Sequence, residues 1–258
     1  MSRPLEGFVV LVTRPRHLAA ELAGPLEARG ATVLVAPAIH ISRAPPALLH
    51  RAAEELAGGA FEWVVFTSRA GVEAVLEVLR PRRSIAARVA AVGEGTADAL
   101  RAWGVRPAVV PPTFTTEALG RAMPLGSGRV LLARADIAPD GLEAVLADKG
   151  WTPVRVDAYR TRPARRLPAG VVKALVEGGV DAVTFTSAST VRAFMGLAPG
   201  SVVASGRRPP VVCIGPVTAG AAREAGLRVA AVARPHTIDG LAVAVERALA
   251  PRRRKESR

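Results

Sequence analysis

The stretch VDAVTFTSASTVRAFMGL, residues 180–197, changes its period in the middle. Through Phe185 it is a short apolar run of strand length. From Val191 onward its apolar residues fall three or four apart, as on a helix, and Thr186, Ser187, Ser189 and Thr190 fill the junction. A strand that hands small hydroxyls to the first turn of a helix is the building unit of a parallel α/β sheet. Near-identical text, FTSRAGV, stands at 66–72, where Thr67, Ser68 and Arg69 occupy the same junction.

Outward from these two copies, apolar runs of strand length recur at 9–12, 32–36, 63–67, 88–93, 107–111, 129–133, 153–156, 181–186, 210–215 and 229–233. Most are followed by stretches with helical spacing, such as HLAAELAGPLEARG and TADALRAWG. Gly30, Gly104, Gly150 and Gly226 stand where such helices would close on a left-handed residue. The second half of the chain then repeats the first. VVLVTRP with LEARGATVLVAP resembles RVLLARAD with LADKGWTPVRVDA at a shift of 120 residues, and FTSRAGV resembles FTSASTV at 119. AVGEGTADALRAWGV resembles CIGPVTAGAAREAGL, and VPPTFTTEAL resembles VARPHTIDGL, both at 122. Four ordered matches at nearly constant spacing predict an internal duplication, hence two similar α/β domains, each a mostly parallel sheet flanked by helices. The symmetry leaves open whether each domain is one contiguous half, because adjacent units exchange when a chain crosses over twice.

The 258 residues suffice for a substantial core, and with 50% hydrophobic, 22% charged and 4% aromatic residues that core is expected to be mostly Val, Ala and Leu. No apolar run is long enough for a membrane span and no export signal is evident, so the reading is a cytoplasmic protein without membrane contact. The single cysteine, Cys213, is expected to be buried and inert. A formal charge of +13 favours an anionic partner. Part of that charge sits in PRRRKESR at the C-terminus, read as a disordered tail. Nucleic acid is not the expected partner, since neither interleaved aromatics nor a recognisable module accompanies the basic residues.

Ligands of an open parallel sheet bind at the carboxyl ends of its strands, where helix N-termini present free N–H groups. Thr67, Ser68, Arg69, Thr186 and Ser187 fall there, as do Gly93 with Thr96 and Gly215 with Thr218. Thr113 to Thr116 and Pro235 to Thr237 form a third pair. Each hydroxyl alone is explained by N-capping. Together they fit a cleft that binds carboxylates or phosphates. The four histidines are scattered, no zinc or nucleotide motif occurs, and no carboxylate pair is spaced for general acid and base work. Tyr159, the only tyrosine, has a phenol able to donate a proton at a cleft edge, or a ring that packs there.

LVTRP at 11–15, FTSRAGV, AVGEGTA at 91–97, the YRT of Tyr159 to Thr161, FTSAST, CIGPVTA at 213–219 and PHTIDGL at 235–241 together resemble the uroporphyrinogen-III synthase family over nearly the whole chain. The resemblance implies two α/β domains joined by a two-stranded linker, with the active site in the interdomain cleft. It places one domain at 1–37 plus 163–258, the other at 42–156, and the linker strands at 38–41 and 157–162. It implies the cofactor-free closure of hydroxymethylbilane, an octa-carboxylate linear tetrapyrrole, to uroporphyrinogen III with inversion of ring D and loss of water. By the same resemblance Tyr159 is the acid at the leaving hydroxyl. The resemblance matches Thr96, Ser187 and Thr218 to substrate-binding positions; Arg14 and Arg69 are carboxylate partners, although Arg14 serves equally well as a structural group, and Thr67, Ser68 and Thr186 join them as junction hydroxyls that bind the substrate. Further expectations are a monomer and a transient contact with hydroxymethylbilane synthase. Some members carry a lysine where Pro210 stands, so a role for that lysine does not transfer, and Arg207 or Arg208 is at most a substitute for its charge. The alternative is a non-enzymatic tetrapyrrole-binding or regulatory module.

Overall fold

The computed structural model describes residues 3–80, 85–198, 200 and 209–256, with side chains up to residue 250. The chain divides into two compact units, Met1–His40 with Arg162–Arg258 and Ile41–Thr161. Each takes segments from both halves of the sequence repeat.

The first unit contains β1 (Val9–Val12), α1 (Arg16–Ala28) and β2 (Thr32–Val35), then α7 (Ala169–Glu177), β8 (Ala182–Phe185), α8 (Ala188–Leu197), β9 (Val211–Cys213), α9 (Pro216–Glu224), β10 (Val229–Val232) and α10 (Ile238–Glu256). Its five strands run in the order β10-β9-β8-β1-β2, all paired in parallel. Parallel strands covered on both faces are apolar on both sides. Leu11, Val183 and Phe185 accordingly pack into one core layer, while Val10, Val12 and Ala182 pack into the layer on the opposite face.

The second unit contains α2 (Pro46–Ala57), β4 (Trp63–Phe66), α3 (Arg69–Leu79), β5 (Arg88–Ala91), α4 (Glu94–Ala102), α5 (Thr116–Ala122), β6 (Arg129–Ala135) and α6 (Gly141–Asp148). Strands β3 (Ile39–Arg43) and β7 (Thr152–Pro163) span its ends and complete a sheet of order β3-β7-β6-β4-β5. Val64 and Phe66 of β4 enter one layer, and Trp63 and Val65 the other. Gly30, Gly104, Gly150 and Gly226 have φ of 96°, 76°, 90° and 71°, the left-handed conformation expected at those helix ends.

Two expectations need correction. The run 107–111 is not a strand of the sheet, because Pro107, Pro111 and Pro112 bring no N–H to a ladder. It makes only an isolated parallel bridge between Ala90 and Val109. The basic C-terminal segment, read as a disordered tail, instead continues α10 through Glu256. Arg, Lys and Glu are good helix formers, and basic residues suit a helix C-terminus.

Candidate active site at the carboxyl edges of the sheets

In the first unit the strand order reverses between β1 and β8, since β2 lies on one side of β1 while β8, β9 and β10 follow on the other. Such a reversal opens a crevice at the carboxyl ends of the two strands. Two buried threonines tie the strands together beneath it: Thr13 Oγ1 donates to the Thr184 carbonyl at 2.7 Å, and Thr184 Oγ1 donates to the Leu11 carbonyl at 3.1 Å. Arg14 follows β1, and Thr186 and Ser187 follow β8. Ser187 caps α8 by accepting the Thr190 N–H at 3.2 Å, and its Oγ lies 2.9 Å from Ser189 Oγ and 2.6 Å from Thr190 Oγ1. Thr218 lies buried in the first turn of α9, after the next strand over. Arg14 is only 6% exposed, and its Nη2 donates to Glu21 of α1 at 3.1 Å. Burial demands a charged partner, so this guanidinium fastens α1 to the end of β1.

The second unit reverses between β4 and β6. Thr67, Ser68 and Arg69 follow β4. Ser68, extended at φ −164°, caps α3 by accepting the Gly71 N–H at 3.1 Å. Gly71 has to lack a side chain because a Cβ there would stand 2.9 Å from the Ala133 carbonyl of β6. Its absence lets the first turn of α3 settle onto the end of the neighbouring strand. Thr96 is buried in the first turn of α4, where its N–H donates to the Gly93 carbonyl at 3.0 Å. Gly93 is also a close approach, since a Cβ would meet the Phe114 ring at 2.7 Å.

Tyr159, on β7, is half-buried against the core layer of this unit. Burial pushes its phenol above the ordinary tyrosine range. The Ser68 hydroxyl and the nearby Arg134 charge pull it back down, and Asp136 pushes it up. The phenol is therefore neutral around neutrality, an O–H donor with a hydroxyl and a buried cation beside it. Arg134, 2% exposed, donates to the Pro139 carbonyl at 2.8 Å and to Glu143 Oε2 at 2.5 Å.

The nine sequence-selected residues thus fall at carboxyl edges, four in the first unit and five in the second. Within the second, the Ser68 hydroxyl lies close enough to the Tyr159 phenol to lower its pKa. The capping explanation and the binding explanation coexist at Ser68 and Ser187, because a cap accepts one N–H and leaves the others of the first turn for a ligand. Thr115 and Thr237 behave in the same way, accepting from Ala118 and Gly240 at 3.0 and 3.1 Å. Pro210 is buried and its carbonyl accepts the Val183 N–H at 3.0 Å. Arg207 and Arg208 lie outside the described residues. Sequence reasoning passed over the buried Thr13 and Thr184, whose only signal was a hydroxyl inside an apolar strand. It also passed over Arg155, which makes no sequence-local pattern. Among the described residues no three His, Cys, Asp or Glu side chains converge as metal ligands, and no helix is long and apolar enough to cross a membrane.

Two α/β units, each with hydroxyl-capped helices and a buried arginine at the carboxyl edge of a parallel sheet, place N–H donors where anionic ligands bind in sheets of this kind. The family model described as uroporphyrinogen-III synthase HemD matches residues 20–242, and the chain belongs to that family. It is 30% identical over 257 residues to a uroporphyrinogen-III synthase of Synechococcus elongatus, covering 95% of this chain and 97% of that one. It is 33% identical to a porphyrin biosynthesis protein HemD of Ruminiclostridium josui, covering 93% of this chain but only 48% of that protein. A crystal structure of a mutant uroporphyrinogen III synthase from Thermus thermophilus superposes with a TM-score of 0.70 at 25% identity, covering 94% of this chain and 99% of that one.

Proposed function

We propose that this chain closes hydroxymethylbilane to uroporphyrinogen III, inverting ring D and releasing water, with Tyr159 as the proton donor to the departing hydroxyl. The observation that carries the assignment of Tyr159 is its placement: the one tyrosine of the chain sits beside the capped N-terminus of α3, where the Ser68 hydroxyl and the buried Arg134 both lower its pKa. The substrate's many carboxylates match the helix starts at Thr67 to Arg69, Thr96, Thr186 with Ser187, and Thr218, which offer N–H groups and hydroxyls, with Arg14 at the end of β1. The net charge of +13 draws such an anion in.

The chemistry asks little of a strong base. Loss of the ring A hydroxyl gives an azafulvene, the substituted carbon of ring D attacks it to form a spiro-pyrrolenine, and fragmentation with reclosure inverts the ring. A neutral phenol supplies the proton that turns hydroxide into water as a leaving group. Holding ring D turned, with the two ends of the bilane close together, is a positional contribution. No cofactor enters the scheme. We read the protein as a cytoplasmic monomer that receives its substrate from hydroxymethylbilane synthase by transient contact.

Purified protein supplied with freshly made hydroxymethylbilane should give mainly isomer III after oxidation and chromatographic separation, at a rate proportional to protein. Only isomer I, at the rate of the protein-free control, would leave a binding module without this activity.

A further inference from the structure

The register between β6 and β7 slips next to Tyr159. Arg134 faces Asp157, yet the next pair is Ala135 with Tyr159, so Ala158 is an extra residue on β7. Before the slip the even positions Val154, Val156 and Ala158 pack into the core layer; after it the odd positions Tyr159 and Thr161 turn inward. Without the bulge, strict alternation would point the phenol to the other face. The slip is therefore what brings the Tyr159 ring to the side on which Ser68 lies.

We propose that Asp136 is the positioning residue for Tyr159, pinning the strand immediately after this bulge. Its N–H donates to the Tyr159 carbonyl at 3.1 Å and its Oδ1 accepts the Thr161 N–H at 2.9 Å. One residue thus bridges the backbone on either side of Arg160. Asp136 is itself held in a fixed turn. Arg155 Nη2 donates to the carbonyls of Ala135 and Asp136 at 2.9 and 3.1 Å, and its Nη1 donates to Ala138 at 2.8 Å and Asp140 at 2.7 Å. Arg134 closes the far side of the turn through Pro139. This proposal rests on the reading of Tyr159 as proton donor for its consequence in catalysis, but not for its geometry.

Because the chain has one tyrosine, ring-labelled protein reports this side chain alone by NMR. Asp136→Ala, which removes the acceptor, should move or split that signal and lower kcat on hydroxymethylbilane by ~10- to 100-fold with KM little changed, the cost of a misplaced group. Asp136→Asn keeps an oxygen for the Thr161 N–H, and should keep the signal and restore kcat to within about threefold of wild type. Asp136→Glu keeps the charge but moves the acceptor out by one methylene; it should follow the alanine variant, and it provides the test if Asp136→Ala does not fold. An unmoved signal with unchanged kcat in Asp136→Ala and Asp136→Glu overturns the proposal, as does an asparagine variant as impaired as the alanine one. Tyr159→Phe, assayed alongside, separates the two claims: full activity there sinks the proton-donor reading, while the tyrosine signal still decides whether Asp136 positions the ring.

Discussion

Replacing Ser68 by alanine removes two influences at once. The first is the cap, the Gly71 N–H to Ser68 Oγ bond of 3.1 Å, whose loss costs ~1 kcal/mol. The second is the hydroxyl's influence on the Tyr159 phenol, whose pKa it lowers. Ser68→Ala should then lower the unfolding free energy by roughly 1 kcal/mol, the worth of the cap. In urea denaturation this appears as a lower midpoint at unchanged slope. Ser68→Gly is the control: glycine caps nearly as well as serine, so only about a few tenths of a kcal/mol should be lost. The tyrosine reports independently. Since Ser68 lowers the pKa of Tyr159, its removal should shift the tyrosinate absorbance titration further upward in both variants. A titration that stays put or moves down in Ser68→Ala, or equal destabilisation by alanine and glycine, would refute this account of the site.

Burial raises the Tyr159 phenol and raises the Cys213 thiol from 9.0 to about 11. In both cases the folded pKa exceeds the unfolded one, so the stability is present below the unfolded value and is lost as pH rises through the folded one. Unfolding free energy should therefore fall steadily above about pH 9, and a curve flat from there to pH 11 contradicts it. For the same reason Cys213 should resist alkylation in the native protein at mildly alkaline pH and react once unfolded; equal rates would show that the strand is open. Arg134→Met leaves Glu143 with only the 3.8 Å contact to Arg155, and should cost about 3 kcal/mol by calorimetry, whereas a loss under about 1 kcal/mol would mean the pair is not buried. Gly93→Ala forces a methyl into the Phe114 ring and should cost about 1–3 kcal/mol by the same measurement; a neutral result would mean the ring moves freely.

The strands and junctions were legible because their signals are local. Val9–Val12 and Trp63–Phe66 are apolar runs bounded by polar residues, and Ser68 and Ser187 stand where a cap must stand. The repeat foretold two units, but residue patterns alone could not say how the chain is shared between them, because strand exchange changes no local preference. The segment 107–111 misled because its valines read as a strand while the flanking prolines limited it to one bridge. The bulge at Ala158 and the clamp of Arg155 on the turn after β6 were illegible: both arise from pairing and side-chain reach between residues 15 to 25 positions apart. Asp136 could be noticed as an acidic residue in ARAD, but nothing in its neighbourhood names Thr161 as its partner.

The most direct test of the central claim, that this phenol delivers the proton, is the single-turnover rate of isomer III formation by Tyr159→Phe. Phenylalanine keeps the ring in its place and removes only the O–H. The account predicts that isomer III still predominates, since folding of the bilane is positional, while its rate drops by ~10²- to 10⁴-fold. A variant that forms isomer III at the wild-type rate would contradict it and move the proton donor to another group.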